Sequence, residues 1–319
     1  MASAVETFLE IDPIDLSNTC LKKDSLKGEV AVITGSTSNV GLGYARAIAW
    51  ASGKVVICGT NERAGAEVER VINAENAPGT ALFVKCDVTE ENDVKRLAKR
   101  AFEQFGKVDI LINNAMKLSL NGSVLESPVC DFEESFAISG RGVMLAIKEF
   151  VPAMFERKHG VVTYSTTQFH YSPPMFGGAI YCAGKAAATS IIMSLANEVG
   201  PYSENGVGVF CMIPAFVERS ETSRAHGSSD GKTAPEITPA SVPNGFGGPI
   251  PPEANGACMV YCILNADKLH GSGISNSDAF QAMDYPFPYP ETMHSDEMRR
   301  LTDKELTLVF RSMGPGFGK

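Results

Sequence analysis

Residues 28–49 read GEVAVITGSTSNVGLGYARAIA, and this stretch decides the fold. Val30, Ala31, Val32 and Ile33 are apolar without alternation, as a strand buried on both faces of a parallel sheet requires. From Val40 onward, Ala45, Ile48 and Ala49 recur at helical spacing. A strand, a tight turn and a helix thus follow one another, the first half of a βαβ unit. Gly35 and Gly41 let the backbone approach a ligand, and amides at a helix start favour an anion such as a pyrophosphate. The candidate cradle is Gly35, Ser36, Ser38, Asn39, Val40 and Gly41. Glycines at this spacing also serve ordinary tight turns, so the rest of the chain must decide between the two readings.

Outward from this unit the alternation continues. Strands are predicted at 54–58, 81–84, 108–112, 160–165, 206–212 and near 273–275, with helices at 61–72, about 131–155 and about 178–199 between them. Thr89 is the expected cap of a further helix, whose first turn carries Glu90, Glu91 and Asp93 and whose inner face carries Val94, Leu97, Ala101, Phe102 and Phe105. The pattern is a doubly wound parallel sheet of the α/β class. Residues 1–27 form an N-terminal extension, 28–280 the main domain and 281–319 a C-terminal extension holding a short helix at 303–311. The Gly, Ser, Pro and Thr of 218–255 read as a binding loop or, alternatively, as a disordered insertion.

The 319 residues and their 44% hydrophobic fraction suffice for a substantial core. A net charge of −9 supplies no basic footprint for nucleic acid or an anionic membrane surface. The eight cysteines sit in apolar runs and read as buried free thiols. Cys258 and Cys262 lie four apart with no second pair to complete a zinc site, so no metal is expected. No apolar stretch is expected to reach bilayer length, and the acidic start lacks the plan of a signal peptide, which points to the cytoplasm.

Tyr181 and Lys185, in AIYCAGKAAA, stand four apart on one helix face. Such a pair also arises by chance, with tyrosine as core and lysine as surface. Its chemical logic is that a phenol titrating near pH ~10 is a poor acid at neutrality unless a cation lowers its pKa. With Thr34, Gly35 and Gly41 as TGxxxGxG, CDVT at 86–89 and NNA at 113–115 in order, the chain resembles the short-chain dehydrogenase/reductase family over roughly residues 28–280. That resemblance implies a single Rossmann-type domain, a nicotinamide cofactor, and Tyr181 as general acid with Lys185 both tuning it and holding the cofactor ribose. It also implies a carbonyl-polarising hydroxyl at Thr167, with Thr166 nearly as well placed, and a relay position at Ser139. Cofactor contacts are implied at Asp87, Val88, Asn113, Asn114, Ala115, Pro214 and Val217. Departures from the family pattern fall at Asn39, Met116, Ser139, Thr167 and Ala215. Asparagine tolerates positive φ best among non-glycine residues, so the turn is expected to survive.

Where NAD-selective members carry an acid after the second strand, this chain has Gly59, followed by Thr60, Asn61 and Arg63. Without that carboxylate, NADP(H) is expected over NAD(H). Arg63 is equally compatible with an ordinary solvated helix face. Phe169, Tyr171, Met175 and Phe176 favour an apolar or aromatic substrate, or else form a packed hinge, and His170 reads as structural or merely exposed. The expectation is hydride transfer between NAD(P)(H) and a carbonyl/alcohol pair in a homodimer or homotetramer, the long helices pairing across a symmetric interface. Two alternatives stay open: a cofactor-binding scaffold or sensor that lost turnover, and a dehydratase, epimerase or C=C reductase on the same scaffold.

Overall fold

The computed structural model describes residues 14–117, 123–167, 178–214 and 252–283. Seven parallel strands form one sheet in the order β3-β2-β1-β4-β5-β6-β7. The strands are β1 (Val30–Thr34), β2 (Lys54–Gly59), β3 (Ala81–Lys85), β4 (Ile110–Asn113), β5 (Gly160–Ser165), β6 (Val207–Ile213) and β7 (Gly273–Ser275). Between them run α1 (Asn39–Trp50), α2 (Glu62–Glu75), α3 (Glu91–Phe105), α4 (Val129–Phe136), α5 (Gly142–Arg157), α6 (Ala179–Val199), α7 (Tyr202–Asn205), α8 (Pro252–Leu264) and α9 (Ala266–Leu269), and α10 (Asn276–Met283) follows β7. The chain winds outward from β1 to β3, then crosses back to β4 and on to β7. The reversal opens a crevice beyond the carboxyl ends of β1 and β4, where open sheets of this kind bind ligands.

The unbroken apolar run of β1 now has its reason. Ala31 and Ile33 join a core layer with α1 and α8, while Val30 and Val32 join the opposite layer with α3, α5 and α6. Both faces are covered, so the four positions before Thr34 are all apolar. The first layer depends on close contact between α1 and α8. A Cβ on Gly43 would lie 1.9 Å from the Pro252 carbonyl oxygen, and one on Gly256 2.2 Å from that of Gly43. Arg46, on α1, is buried and pairs with Glu75 of α2 at 2.7 Å and with Glu253 of α8. Such a buried network fixes the register of three helices more than it adds stability. At the opposite end of the sheet, buried Asp109 accepts from the Val30 amide, Lys107 and Arg157.

Several expectations are corrected. Glu90, not Thr89, is the N-cap of α3, because the Thr89 hydroxyl and amide both donate to Asp87 Oδ1. Strand β4 begins at Ile110, after Asp109 has been drawn to the Val30 amide. The long helix starts at Val129 and is divided by a π turn, Ala137–Arg141, into α4 and α5. Cys20 and Cys130 are exposed and Cys182 half-buried, although Cys258 and Cys262 are core as read. Helix α6, at 21 residues, is long and apolar enough to span a bilayer, but its Ile180, Ala188, Ile192 and Leu195 are buried in the domain. Residues 252–255 belong to α8 rather than the loop, and α10 runs past 280 to Met283. Leu16, Leu21 and Leu26 pack into the core, so 14–27 lie on the domain itself. The rest of the 218–255 loop, the 303–311 helix and residues 1–13 lie outside the described residues.

Candidate active site

Thr34, at the end of β1, welds the glycine turn to the NNA turn. Its Oγ1 accepts from the amides of Asn114 at 2.9 Å and Ala115 at 3.0 Å, while Asn114 Nδ2 donates to the carbonyls of Thr34 and Gly35, both at 3.0 Å. Space explains both glycines. Gly35 has φ +62°, and its Cβ would sit 2.8 Å from Ala115 Cα; a Cβ on Gly41 would sit 2.4 Å from the Gly35 oxygen. Asn39 holds φ 50°, the left-handed conformation for which asparagine is suited. Ser38 is the N-cap of α1 in extended backbone and makes no side-chain cap bond, and the first turn carries no acid. The positive end of this 12-residue helix is thus left to meet an anion. Val40 sits half-buried against the core. Ser36 differs from expectation: its hydroxyl donates to the Ile33 carbonyl at 2.6 Å and accepts from the Cys58 amide at 3.1 Å, so it braces the turn from within. Asn113 donates to the Thr163 carbonyl, and its Oδ1 is buried with no partner.

At the end of β2, Gly59 faces Thr37, and a Cβ there would meet Thr37 Cγ2 at 3.0 Å. Thr60 and Arg63 are exposed, and Arg63 lies near enough to Glu67 to favour its ionised form. Asn61 is the N-cap of α2, its Oδ1 accepting from the Ala64 amide at 3.0 Å. Glu62, the acid of that first turn, pairs with Lys85 at 3.2 Å. Asp87 is half-buried, with Oδ1 committed to Thr89. The Val88 side chain is buried against Gly142, so only its backbone is left for a ligand.

Beyond β5 the structure separates the two threonines. Thr166 is buried, hydrogen-bonded to Thr189 Oγ1 at 2.6 Å, and serves packing. Thr167 instead turns its hydroxyl toward the Tyr181 phenol, where it favours the ionised form. One turn along α6, Lys185 is 2% exposed and donates to the Ser165 carbonyl; its Nζ lies 5.8 Å from the Tyr181 ring centre and 4.7 Å from that of Tyr164. Burial pushes the Tyr181 phenol above its ordinary value, opposed in part by the Thr167 hydroxyl, and burial draws Lys185 down to about 7. Ser139 is buried in the π turn, and π turns recur at functional sites. Its hydroxyl faces Tyr164, whose phenol oxygen nevertheless has no partner in hydrogen-bond geometry. Met116 is 36% exposed at the mouth formed by the NNA turn, and the adjacent Lys117 pairs with Glu134 of α4.

Residues 29–230 match the family described as short chain dehydrogenase. The chain belongs to the short-chain dehydrogenase family. An uncharacterized oxidoreductase of Thermotoga maritima is 32% identical over 198 residues, covering 61% of this chain and 74% of the relative. Short-chain dehydrogenase reductase 3a of Arabidopsis thaliana is 30% identical over 200 residues, 61% of this chain and 76% of its own. In fold, the chain resembles a metagenomic short-chain oxidoreductase solved with NADP, with TM-score 0.62, 23% identity, and coverage of 79% of this chain and 97% of that one. As a short-chain dehydrogenase, the protein is an oxidoreductase on a scaffold that binds a nicotinamide cofactor. Pro214 closes β6 at the same crevice. Val217, Ala215 and the stretch with Phe169, His170, Tyr171, Met175 and Phe176 lie outside the described residues. Sequence reasoning missed Thr37, whose contact with Gly59 depends on strand register, and Tyr164, which reads as core in an apolar strand.

Proposed function

We propose that this short-chain dehydrogenase moves hydride between NADP(H) and the carbonyl/alcohol pair of an apolar or aromatic substrate, with Tyr181 as general acid in reduction. The observation that carries the reading is the Tyr181–Thr167 hydroxyl pair standing over buried Lys185 beside the NNA turn. The residues present fit a dinucleotide: the glycine turn has no room for side chains, the start of α1 is left open, and Asn113 Oδ1 is a buried acceptor without a partner. Ser38, Asn39, Val40 and Gly41 would hold the pyrophosphate, Thr60 and Arg63 the adenosine end, and Asn114, Ala115, Lys185, Pro214 and Val217 the nicotinamide half. When bound, the cofactor supplies or takes the hydride.

Every proton step belongs to the chain. The raised pKa of Tyr181 keeps the phenol protonated at neutral pH, ready to donate to the carbonyl oxygen as charge develops there. Thr167 holds the same oxygen through its hydroxyl. Lys185, titrating at about 7, can return a proton near neutrality, with Ser139 at the relay position. Gly59 and exposed Arg63 support the choice of NADP(H), because position 59 itself carries no carboxylate to repel a 2′-phosphate and the nearby Glu62 is paired with Lys85. Exposed Val129, Phe132, Phe136 and Met144 on α4 and α5 support pairing of these helices in a homodimer or homotetramer. The reading places the protein in the cytoplasm, with 28–280 as the catalytic domain.

Consumption of NADPH across a panel of aliphatic and aromatic ketones and aldehydes, with calorimetry of cofactor binding in parallel, tests this. Turnover with at least one carbonyl is expected. Tight NADPH binding with no oxidation across the panel would favour a scaffold or sensor, to which Met116 and Ser139 give a physical basis. Products that are dehydrated, epimerised or reduced at C=C would favour the related chemistries instead.

A further inference from the structure

Lys185 is an ammonium site with almost no conventional support. Its Nζ has three donors, and the bond it makes is to the Ser165 carbonyl. The titratable groups facing it are Tyr181 from its own helix, Tyr164 from β5 and Cys211 from β6. Burial pushes both phenols up, and the Cys211 thiol up to about 12, so all three are neutral where an enzyme works. No carboxylate contributes to the Lys185 titration among the described residues. What remains is the Tyr164 ring, fully buried, with Nζ 4.7 Å from its centre, inside the range where a ring face attracts a cation. The Tyr164 phenol oxygen makes no bond in hydrogen-bond geometry, although the Ser139 hydroxyl faces it, so the hydroxyl alone does not explain why an aromatic stands here.

We propose that Tyr164 is a positioning residue for Lys185: its ring is the platform that holds the ammonium above β5 and keeps it charged. Attraction between ring and cation stabilises only the protonated lysine, so the ring offsets part of what burial removes. This inference rests on Lys185 being the cation of the site, but not on any turnover.

The test is the titration of Lys185 in the cofactor-free protein, read by NMR of ¹³C-labelled lysine, with its signal assigned by loss in Lys185→Met. Tyr164→Phe keeps the ring and should leave the titration within a few tenths of a pH unit. Phenylalanine carrying one, two and three ring fluorines at 164, introduced by amber suppression, keeps the shape while draining the ring face. Across that series the titration should fall stepwise by about one pH unit in all. Tyr164→Leu should fall as far, but leaves a cavity, and the fluorine series settles the matter even where that variant does not fold. An unchanged titration across the series overturns the proposal, as does a fall with Tyr164→Phe equal to that of the trifluoro variant, which would give the effect to the hydroxyl. A shifted titration in a protein that oxidises no NADPH would instead count against the proposed reaction and leave this role intact.

Discussion

In the unfolded chain Lys185 stays protonated to its ordinary 10.5, whereas in the folded protein burial brings the titration down to about 7. Between these values the unfolded state binds more protons, so the penalty on folding is complete below pH 7 and relieved as pH rises toward 10.5. Lys185→Met removes it. The variant's advantage over wild type in urea unfolding should therefore be greatest near pH 6 and shrink by about 2 kcal/mol by pH 9; a gap independent of pH would mean that the ammonium is not desolvated. At the cofactor's other end, Gly59→Asp should reverse the proposed preference for NADPH over NADH, provided that Thr37→Ser is made with it, because the Thr37 methyl lies 3.0 Å from the new Cβ. Calorimetry of both cofactors reads the order, and tighter NADH binding by wild type would contradict the preference. Thr37 shows where reading from sequence stops. The clustering of Tyr181, Lys185 and Thr167 was legible by spacing and family order, but the Thr37–Gly59 contact arises only when β1 and β2 align, and the bond of the Ser36 hydroxyl to the Cys58 amide could not be read from spacing.

Helix α1 does two jobs, opening its start to the ligand crevice and pressing its middle onto α8. Gly43 permits the second, since its Cβ would lie 1.9 Å from a backbone oxygen that cannot swing away. Gly43→Val should cost at least about 2 kcal/mol of stability in urea unfolding. A loss of a few tenths would mean that the helices part easily. The strands and most helices were legible because burial on both faces leaves unbroken apolar runs, as in β1 and β4, between amphipathic segments. The division of the long helix was not. The π turn Ala137–Arg141 inserts a single extra residue without breaking the apolar pattern on either side, and it sits where Ser139 faces Tyr164. Likewise the Asp87–Thr89 bond moved the cap of α3 by one residue, a local competition that helical periodicity cannot register.

For the whole molecule, the doubly wound architecture follows from the alternation of strand and helix, while the proposed assembly would rest on what α4 and α5 leave uncovered. Phe132 and Phe136 are 44% and 47% exposed, with ring centres 6.1 Å apart, an apolar pair of the kind a symmetric partner covers. If the proposed pairing holds, wild type sediments as a dimer or tetramer at micromolar concentration and Phe132→Glu with Phe136→Glu as a monomer; a monomeric wild type, or a double variant that sediments unchanged, would contradict it. The central claim, however, is that Tyr181 gives up the proton in a hydride transfer. Single-turnover oxidation of bound NADPH by a carbonyl substrate, comparing wild type with Tyr181→Phe, measures that step directly. A loss of roughly 10²- to 10⁴-fold in rate with unchanged NADPH affinity is the predicted result. Equal rates in the two proteins would contradict it.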